Sequence, residues 1–121
     1  MKISIITVTL NSEKTIKETI ESVIRQNHQN IEHIVIDGGS SDNTISIVKS
    51  YKKHISTLIS ETDYGIYYAM NKGIDFSTGD VIGFLNSDDF YSNNEVINKV
   101  AKDHNINNWI KKHEEIFNKL I

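Results

Sequence analysis

The chain of 121 residues carries 13 basic and 16 acidic side chains, which give it a formal net charge of −3. Its length suits one domain with a hydrophobic core, and its charge provides no basic surface for nucleic acid. Because the chain has no cysteine, disulfides and thiolate metal sites are excluded. The apolar run at residues 3–6 is too short for a signal peptide or a membrane span. We therefore expect a protein without a transmembrane segment, located in the cytoplasm or peripherally at the inner membrane.

Strands and helices are predicted to alternate from residue 3 to residue 89. Runs of apolar and β-branched side chains predict four buried strands, at residues 3–10, 33–36, 55–60 and 81–85. Such alternation is typical of βαβ units. We therefore predict an α/β fold, with a mainly parallel sheet of about four strands and helices on both of its faces.

Three helices are predicted between these strands. Ser12 is the expected cap of the first helix, which carries one apolar stripe formed by Ile16, Ile20, Val23 and Ile24. Asp42 or Asn43 is expected to cap the second helix, which runs to about Lys53. The third helix follows Gly65 and carries Ile66, Tyr67, Met70 and Ile74.

The pattern changes near the end of the chain. We divide it into a domain at residues 1–95 and a helical tail at residues 96–121. The tail contains two polar stretches with a helical pattern. Apolar side chains of the first stretch are Val96, Ile97 and Val100, and those of the second are Trp109, Ile110, Ile116, Phe117 and Leu120. We expect the tail either to pack on the domain or to form an interface, such as that of a homodimer.

Three polar groups stand at the predicted carboxyl ends of strands, at residues 9–11, 37–42 and 86–89. A parallel sheet brings these ends to one edge, where open α/β sheets bind ligands. Each group also has a structural explanation: Asn11-Ser12 as a helix cap, Asp37-Gly38-Gly39-Ser40 as a turn and Asp88-Asp89 as helix-capping acids. Their coincidence at three strand ends favours a binding site.

The neighbouring carboxylates of Asp88 and Asp89 repel each other, which favours a cation beside them. Oxygen ligands suit Mg²⁺ or Mn²⁺, which bind one or two carboxylates together with phosphate oxygens. The histidines lack the spacing of a helical ligand pair, so we expect surface or structural roles for His28, His33, His54, His104 and His113.

Several motifs occur in order within the first 95 residues. The first are Ile5-Ile6-Thr7-Val8-Thr9-Leu10-Asn11 and Ile34-Val35-Ile36-Asp37-Gly38-Gly39-Ser40-Ser41-Asp42-Asn43-Thr44. They continue through Ser60-Glu61-Thr62-Asp63-Tyr64-Gly65-Ile66-Tyr67, Ala69-Met70-Asn71-Lys72-Gly73 and residues 78–89. Together they resemble the start of a family 2 glycosyltransferase with the GT-A fold.

This resemblance implies a Rossmann-like GT-A half-domain that binds a UDP- or dTDP-sugar with Mg²⁺ or Mn²⁺. The family transfers the sugar to a hydroxyl acceptor. The resemblance also implies a role in cell-surface polysaccharide biosynthesis. Residues implied to hold the nucleotide sugar are Thr9, Leu10, Asn11, Asp37, Gly38, Ser40, Asp63, Asn71 and Ser87, with Asp37 accepting a hydrogen bond from the base. Asp88 is the implied metal ligand, and Asn86 and Asp89 are further candidates.

The chain departs from the family pattern at several positions. Asn86 replaces the first acid of the metal motif, Leu10 replaces an aromatic residue that often packs on the base, and Tyr68 replaces an Asp. The acceptor-binding half and its general base are expected downstream. No catalytic residue is therefore assigned, although Asp89 is a candidate, and we expect a truncated donor-binding portion.

Two alternatives belong to other functional classes. The chain could be a non-catalytic module for nucleotide-sugar binding or oligomerisation, with the tail as its interface. A receiver-like signalling domain also has about this length, but its acidic pair follows the first strand, where this chain has Asn11.

Overall fold

The computed structural model describes residues 1–62, 64–103 and 110–111, and the side chains within 1–62 and 64–101. Strands and helices alternate as predicted. Their order is β1 (Ile3–Thr9), α1 (Ile16–Ile24), β2 (Ile31–Asp37), α2 (Thr44–Ser50), β3 (Thr57–Ser60), α3 (Ile66–Phe76), β4 (Val81–Phe84), α4 (Val96–Asp103) and β5 (Ile110–Lys111). In the described part of the chain, no helix is long and apolar enough to cross a membrane.

The strands form one sheet in the order β3-β2-β1-β4-β5. The first four strands are parallel, because β1 pairs in parallel with β2 and β4, and β2 pairs in parallel with β3. The predicted α/β fold with a mainly parallel sheet is thus confirmed. The strand order reverses beside β1, since the chain adds β2 and β3 on one side and β4 on the other.

The second tail stretch is not helical at Ile110. Ile110 and Lys111 form β5, which pairs antiparallel with Ile82 and Val81 of β4. The edge of β4 that β1 leaves unpaired offers backbone hydrogen-bonding groups, and the short strand β5 pairs with them. Of the other side chains expected to form the tail interface, those of Trp109, Ile116, Phe117 and Leu120 lie outside the described residues. The division at residue 95 stays a prediction.

The expected side-chain cap is not formed at the start of α1, whereas Asp42 does bind the start of α2. Ser12 does not cap α1 with its side chain. Instead its carbonyl accepts the N–H groups of Thr15 and Ile16, and its hydroxyl lies 2.7 Å from Ser87 Oγ. Asp42 does serve α2, because its carboxylate accepts the Thr44 N–H at 2.9 Å. That helix ends at Ser50, earlier than expected.

The core lies on both faces of the sheet, as predicted. On one face, α1, α2 and α4 cover side chains of β1, β2 and β4; the buried residues there are Ile3, Ile5, Ile16, Ile20, Val23, Val35, Val48, Val81, Leu85 and Ile97. On the other face, α3 covers Ile6, Ile34, Ile36 and Ile82 with Ala69 and Ile74. Because Ile97 is fully buried, α4 contributes to this core.

Gly73 allows α3 to approach β1 closely. A Cβ atom built on Gly73 would lie 2.4 Å from Cγ2 of Ile6. We expect Gly73→Ala to lower the free energy of unfolding by about 2 kcal/mol, because overpacking outweighs the better helix propensity of alanine. Urea denaturation measures this change. The penalty should disappear in an Ile6→Ala background, and an equal penalty there would contradict the proposed clash.

Candidate functional site

A cavity of about 390 Å³ opens at the carboxyl ends of β1 and β4. Its position is where the strand order reverses, which is the usual ligand-binding position of an open α/β sheet. Sequence-distant segments form its wall: Val8, Thr9, Leu10, Ser12, Gly38, Gly65, Ile66, Ala69, Asn86, Ser87 and Asp88. The structure therefore brings the first and third predicted polar groups together and adds Gly38 from the second.

The cavity has an apolar and a polar side. Side chains alternate between the faces of a strand, so Val8 lies on the α3 side of the sheet, where Ile66 and Ala69 also line the cavity. Ser12, Asn86, Ser87 and Asp88 provide polar groups. The arrangement suits a ligand with one apolar ring and one charged or strongly polar part.

Thr9 contributes a buried hydroxyl to this wall. Thr9 is 5% exposed, and its Oγ1 has no hydrogen-bond partner among the described residues. Buried hydroxyls are usually paired, so this unpaired group is an exception in the wall of the cavity.

Asp37, which the resemblance implies as a contact of the base, is the last residue of β2. Its side chain is fully buried and does not line the cavity. Its oxygens accept hydrogen bonds from the N–H groups of Gly39 (3.0 Å) and Ser40 (2.9 Å) and from the hydroxyls of Ser40 and Ser60. In this arrangement Asp37 holds the loop after β2. Its contact with a base stays a prediction, and it would require some of these bonds to open.

Asn11 and Ser40 join the ends of β1 and β2. Asn11 has φ +49°, a left-handed conformation that Asn tolerates better than most residues. Its Oδ1 accepts the Ser41 N–H at 2.8 Å, and its own N–H donates to Ser40 Oγ at 2.8 Å. Both predicted site residues thus make structural contacts that fix the rim of the cavity.

The acidic segment offers oxygen ligands at the cavity. Asn86, Asp88 and Asp89 are exposed, and the first two line the cavity. The Asp88 carboxylate makes no hydrogen bond or ion pair with the described residues. Across residues 1–62 and 64–103 no group of three or more potential His, Asp or Glu metal ligands occurs. A Mg²⁺ or Mn²⁺ ion fits this donor set only if phosphate oxygens complete its coordination, which is the usual arrangement for Mg²⁺.

Three predicted site residues remain, namely Ser87, Asn71 and Asp63. Ser87 lines the cavity and its hydroxyl meets that of Ser12. Asn71 is buried on α3 and does not line the cavity, and Asp63 lies outside the described residues. Sequence reasoning missed Val8, Ser12, Gly65, Ile66 and Ala69 as wall residues. The signal available for Gly65 and Ile66 was their place at the start of a helix that follows a strand end.

Three tyrosines are exposed near the cavity and are not core residues. The exposed fractions are 90% for Tyr64, 57% for Tyr67 and 41% for Tyr68. The rings of Tyr64 and Tyr68 meet edge to face with centroids 5.4 Å apart. Lys72 Nζ lies 4.7 Å from the Tyr68 ring centroid and 2.7 Å from Glu61 Oε1. The residue at position 68 is therefore held by aromatic and cation–π contacts.

Comparisons with known proteins agree with this architecture. A glycosyltransferase of Mycobacterium tuberculosis is 38% identical over 96 residues, which are 78% of this chain and 37% of that protein. The crystal structure of S. aureus TarS 1-349 in complex with UDP-GlcNAc has a TM-score of 0.77 and 31% identity, covering 84% of this chain and 30% of that one. A mannosyltransferase from Pyrobaculum calidifontis, solved with GDP-Man and Mn²⁺, has a TM-score of 0.78 and 21% identity, covering 84% of this chain and 31% of that one.

The fold is thus that of the GT-A glycosyltransferases. The chain spans 37% of the length of the M. tuberculosis relative. Residues 4–108 match the family described as glycosyl transferase family 2. The chain therefore belongs to glycosyl transferase family 2.

Proposed function

We propose that this chain binds a nucleoside-diphosphate sugar, with a divalent cation, as the donor for transfer to a hydroxyl acceptor. The observation that carries the proposal is the cavity at the strand-order reversal, with the unpaired Asp88 carboxylate on its polar side and an apolar surface opposite. The 31% identical TarS, whose structure contains UDP-GlcNAc, supports UDP as the nucleotide.

Each side of the cavity matches one part of such a donor. The apolar side, with Val8, Leu10 and Ile66, accommodates the base. On the polar side, Asp88 and Asn86 provide oxygens for Mg²⁺ or Mn²⁺ bound together with the diphosphate. When bound, such a cation neutralises charge that develops on the leaving diphosphate.

Transfer also needs a group that removes the proton of the acceptor hydroxyl. We assign no residue to this role, and Asp89 stays a candidate. A non-catalytic donor-binding module is the alternative function. The use of dTDP, homodimerisation through residues 96–121 and a cytoplasmic or peripheral membrane location also stay predictions.

The test is a titration of UDP and UDP-GlcNAc by calorimetry, with Mn²⁺, with Mg²⁺ and with EDTA. We expect the cation to strengthen UDP binding at least about tenfold, and Asp88→Ala to abolish that gain, because among the described residues Asp88 is the only carboxylate on the cavity wall. GDP in a parallel titration reports base selectivity.

Asp80→Ala is the matched control. This exposed aspartate lies just before β4, at the opposite end of the strand from Asp88, where its carboxylate accepts the Lys2 N–H. We expect it to bind UDP like the unsubstituted protein. Absence of nucleotide binding would overturn the proposed function, and an undiminished metal effect in Asp88→Ala would overturn the role of Asp88.

A further inference from the structure

A stripe of polar side chains runs along α1 and its flanking residues, beside the apolar stripe. It consists of Thr15, Thr19, Ser22 and Gln26, which follow one another at helical spacing. Thr19 and Ser22 are each 1% exposed and Gln26 is 8% exposed. Buried polar groups at such positions require partners, and all four find them in the segment that follows β4.

Every contact of this polar stripe with that segment is to its backbone. Thr15 Oγ1 donates to the Ser87 carbonyl at 2.7 Å, and Ser22 Oγ accepts the Tyr91 N–H at 3.1 Å. The Gln26 amide donates to the Asn93 carbonyl at 2.6 Å and accepts the Ile97 N–H at 3.1 Å. The polar stripe therefore holds the backbone between residues 87 and 97 through hydrogen bonds that do not involve the side chains of that segment.

Thr19 holds the part of this segment that contains Asp88. Its hydroxyl lies 3.0 Å from the Ser87 carbonyl oxygen and 2.5 Å from the Asp89 carbonyl oxygen, so its single hydrogen is shared between the residues on both sides of Asp88. The Asp88 side chain itself makes no hydrogen bond with the described residues, and therefore its backbone determines where the carboxylate can lie.

We propose that Thr19 is a positioning residue for metal-assisted diphosphate binding, acting through the backbone on Asp88. This inference rests on the proposed function. A carboxylate that is already placed loses less conformational entropy when it engages a ligand, and residues that orient a metal ligand typically contribute tenfold or more to metal affinity. Thr19 itself is covered by the acidic segment and touches no ligand.

The experiment compares Thr19→Val, which removes the hydroxyl at nearly constant volume, with Thr19→Ser, which keeps it. UDP is titrated with Mn²⁺ and with EDTA. We expect Thr19→Val to lose about tenfold of the Mn²⁺-dependent gain in UDP affinity, with unchanged binding in EDTA. Thr19→Ser should retain the gain. A second pair, Thr19→Ala and Thr19→Ser, differs only by the hydroxyl. It replaces the first comparison if the valine variant folds poorly.

A measurement without metal or nucleotide provides an independent readout. Hydrogen exchange of the backbone amides at residues 88–91 should be faster in Thr19→Val and Thr19→Ala than in Thr19→Ser, while exchange in β2 stays the same. Metal-dependent UDP binding that the valine and alanine variants retain in full would overturn the positioning role alone. Absence of metal-dependent binding in the unsubstituted protein would instead overturn the proposed function, and the positioning role with it.

Discussion

Asp37→Ala is expected to lower the free energy of unfolding by about 4 kcal/mol, and Asp37→Asn by about 2 kcal/mol. The buried carboxylate accepts the N–H groups of Gly39 and Ser40 and the hydroxyls of Ser40 and Ser60. Alanine removes the buried acceptor that these four donors share. Asparagine keeps one oxygen for the backbone N–H groups, but it loses the charge that strengthens each bond.

The same substitutions should weaken nucleotide binding. Gly38 lies on the cavity wall, between Asp37 and the N–H groups that the carboxylate holds. When the loop after β2 is released, this part of the wall loses its fixed position. We therefore expect UDP affinity to fall in the order unsubstituted protein, Asp37→Asn, Asp37→Ala.

Urea denaturation and UDP titration of the three proteins test this expectation. Asp89→Asn is the matched control for stability, because that carboxylate is exposed and its removal should change the free energy of unfolding by less than about 0.5 kcal/mol. Unfolding free energies equal to the unsubstituted value in both Asp37 variants would show that the carboxylate does not hold the loop. Loss of UDP binding at unchanged stability would instead favour direct contact between Asp37 and the base.

The order of strands and helices could be read from the sequence because its causes are local. Runs such as Ile34-Val35-Ile36 are β-branched and apolar on both faces, as a central parallel strand requires. The polar residues after β1, β2 and β4 mark the strand ends, and parallel pairing then brings Thr9 and Asp88 to one cavity. The location of the candidate site follows from topology rather than from a single motif.

The contacts of Asp37 could not be read in this way. An acid followed by two glycines at a strand end is compatible with a ligand contact and with a buried loop anchor. Ser60 of β3, which lies 23 residues further along the chain, supports the second role by donating to the carboxylate. Only the register of β2 with β3 places the two side by side.

The polar stripe and β5 were missed for similar reasons. Thr19 and Ser22 look like solvent-facing helix positions in the sequence, because their partners are backbone groups that carry no side-chain signature. Ile110 fits a helical pattern, but the open edge of β4 pairs with it as a strand. Long-range backbone pairing thus overrides the local pattern in both cases.

The stability of the protein should fall as the pH is lowered from about 7 to about 4, because of His33. This side chain lies in β2 and is 1% exposed. Its Nε2 meets Thr7 Oγ1 at 2.8 Å, and its Nδ1 has no partner within the described ranges. Burial lowers the pKa of His33 to about 4, because the charged ring would lose its hydration.

The sign and size of the effect follow from proton linkage. Between the folded pKa of about 4 and the unfolded pKa of about 6.5, the unfolded chain binds a proton at this residue and the folded chain does not. Lower pH therefore favours unfolding. The contribution of His33 is fully present above the unfolded pKa, and about 2 kcal/mol of it is lost by pH 5 and about 3 kcal/mol by pH 4.

Urea unfolding curves at intervals from pH 7.5 to pH 5 measure this loss before most carboxylates titrate. His33→Gln and His33→Phe are the variants for comparison, since neither side chain titrates and the glutamine can still hydrogen-bond Thr7. Both variants should be less stable than the unsubstituted protein at pH 7.5 and should depend less steeply on pH. If both keep the unsubstituted slope, the proton uptake belongs to another group. A shallower slope in both identifies His33 as the residue whose burial makes the core sensitive to acid.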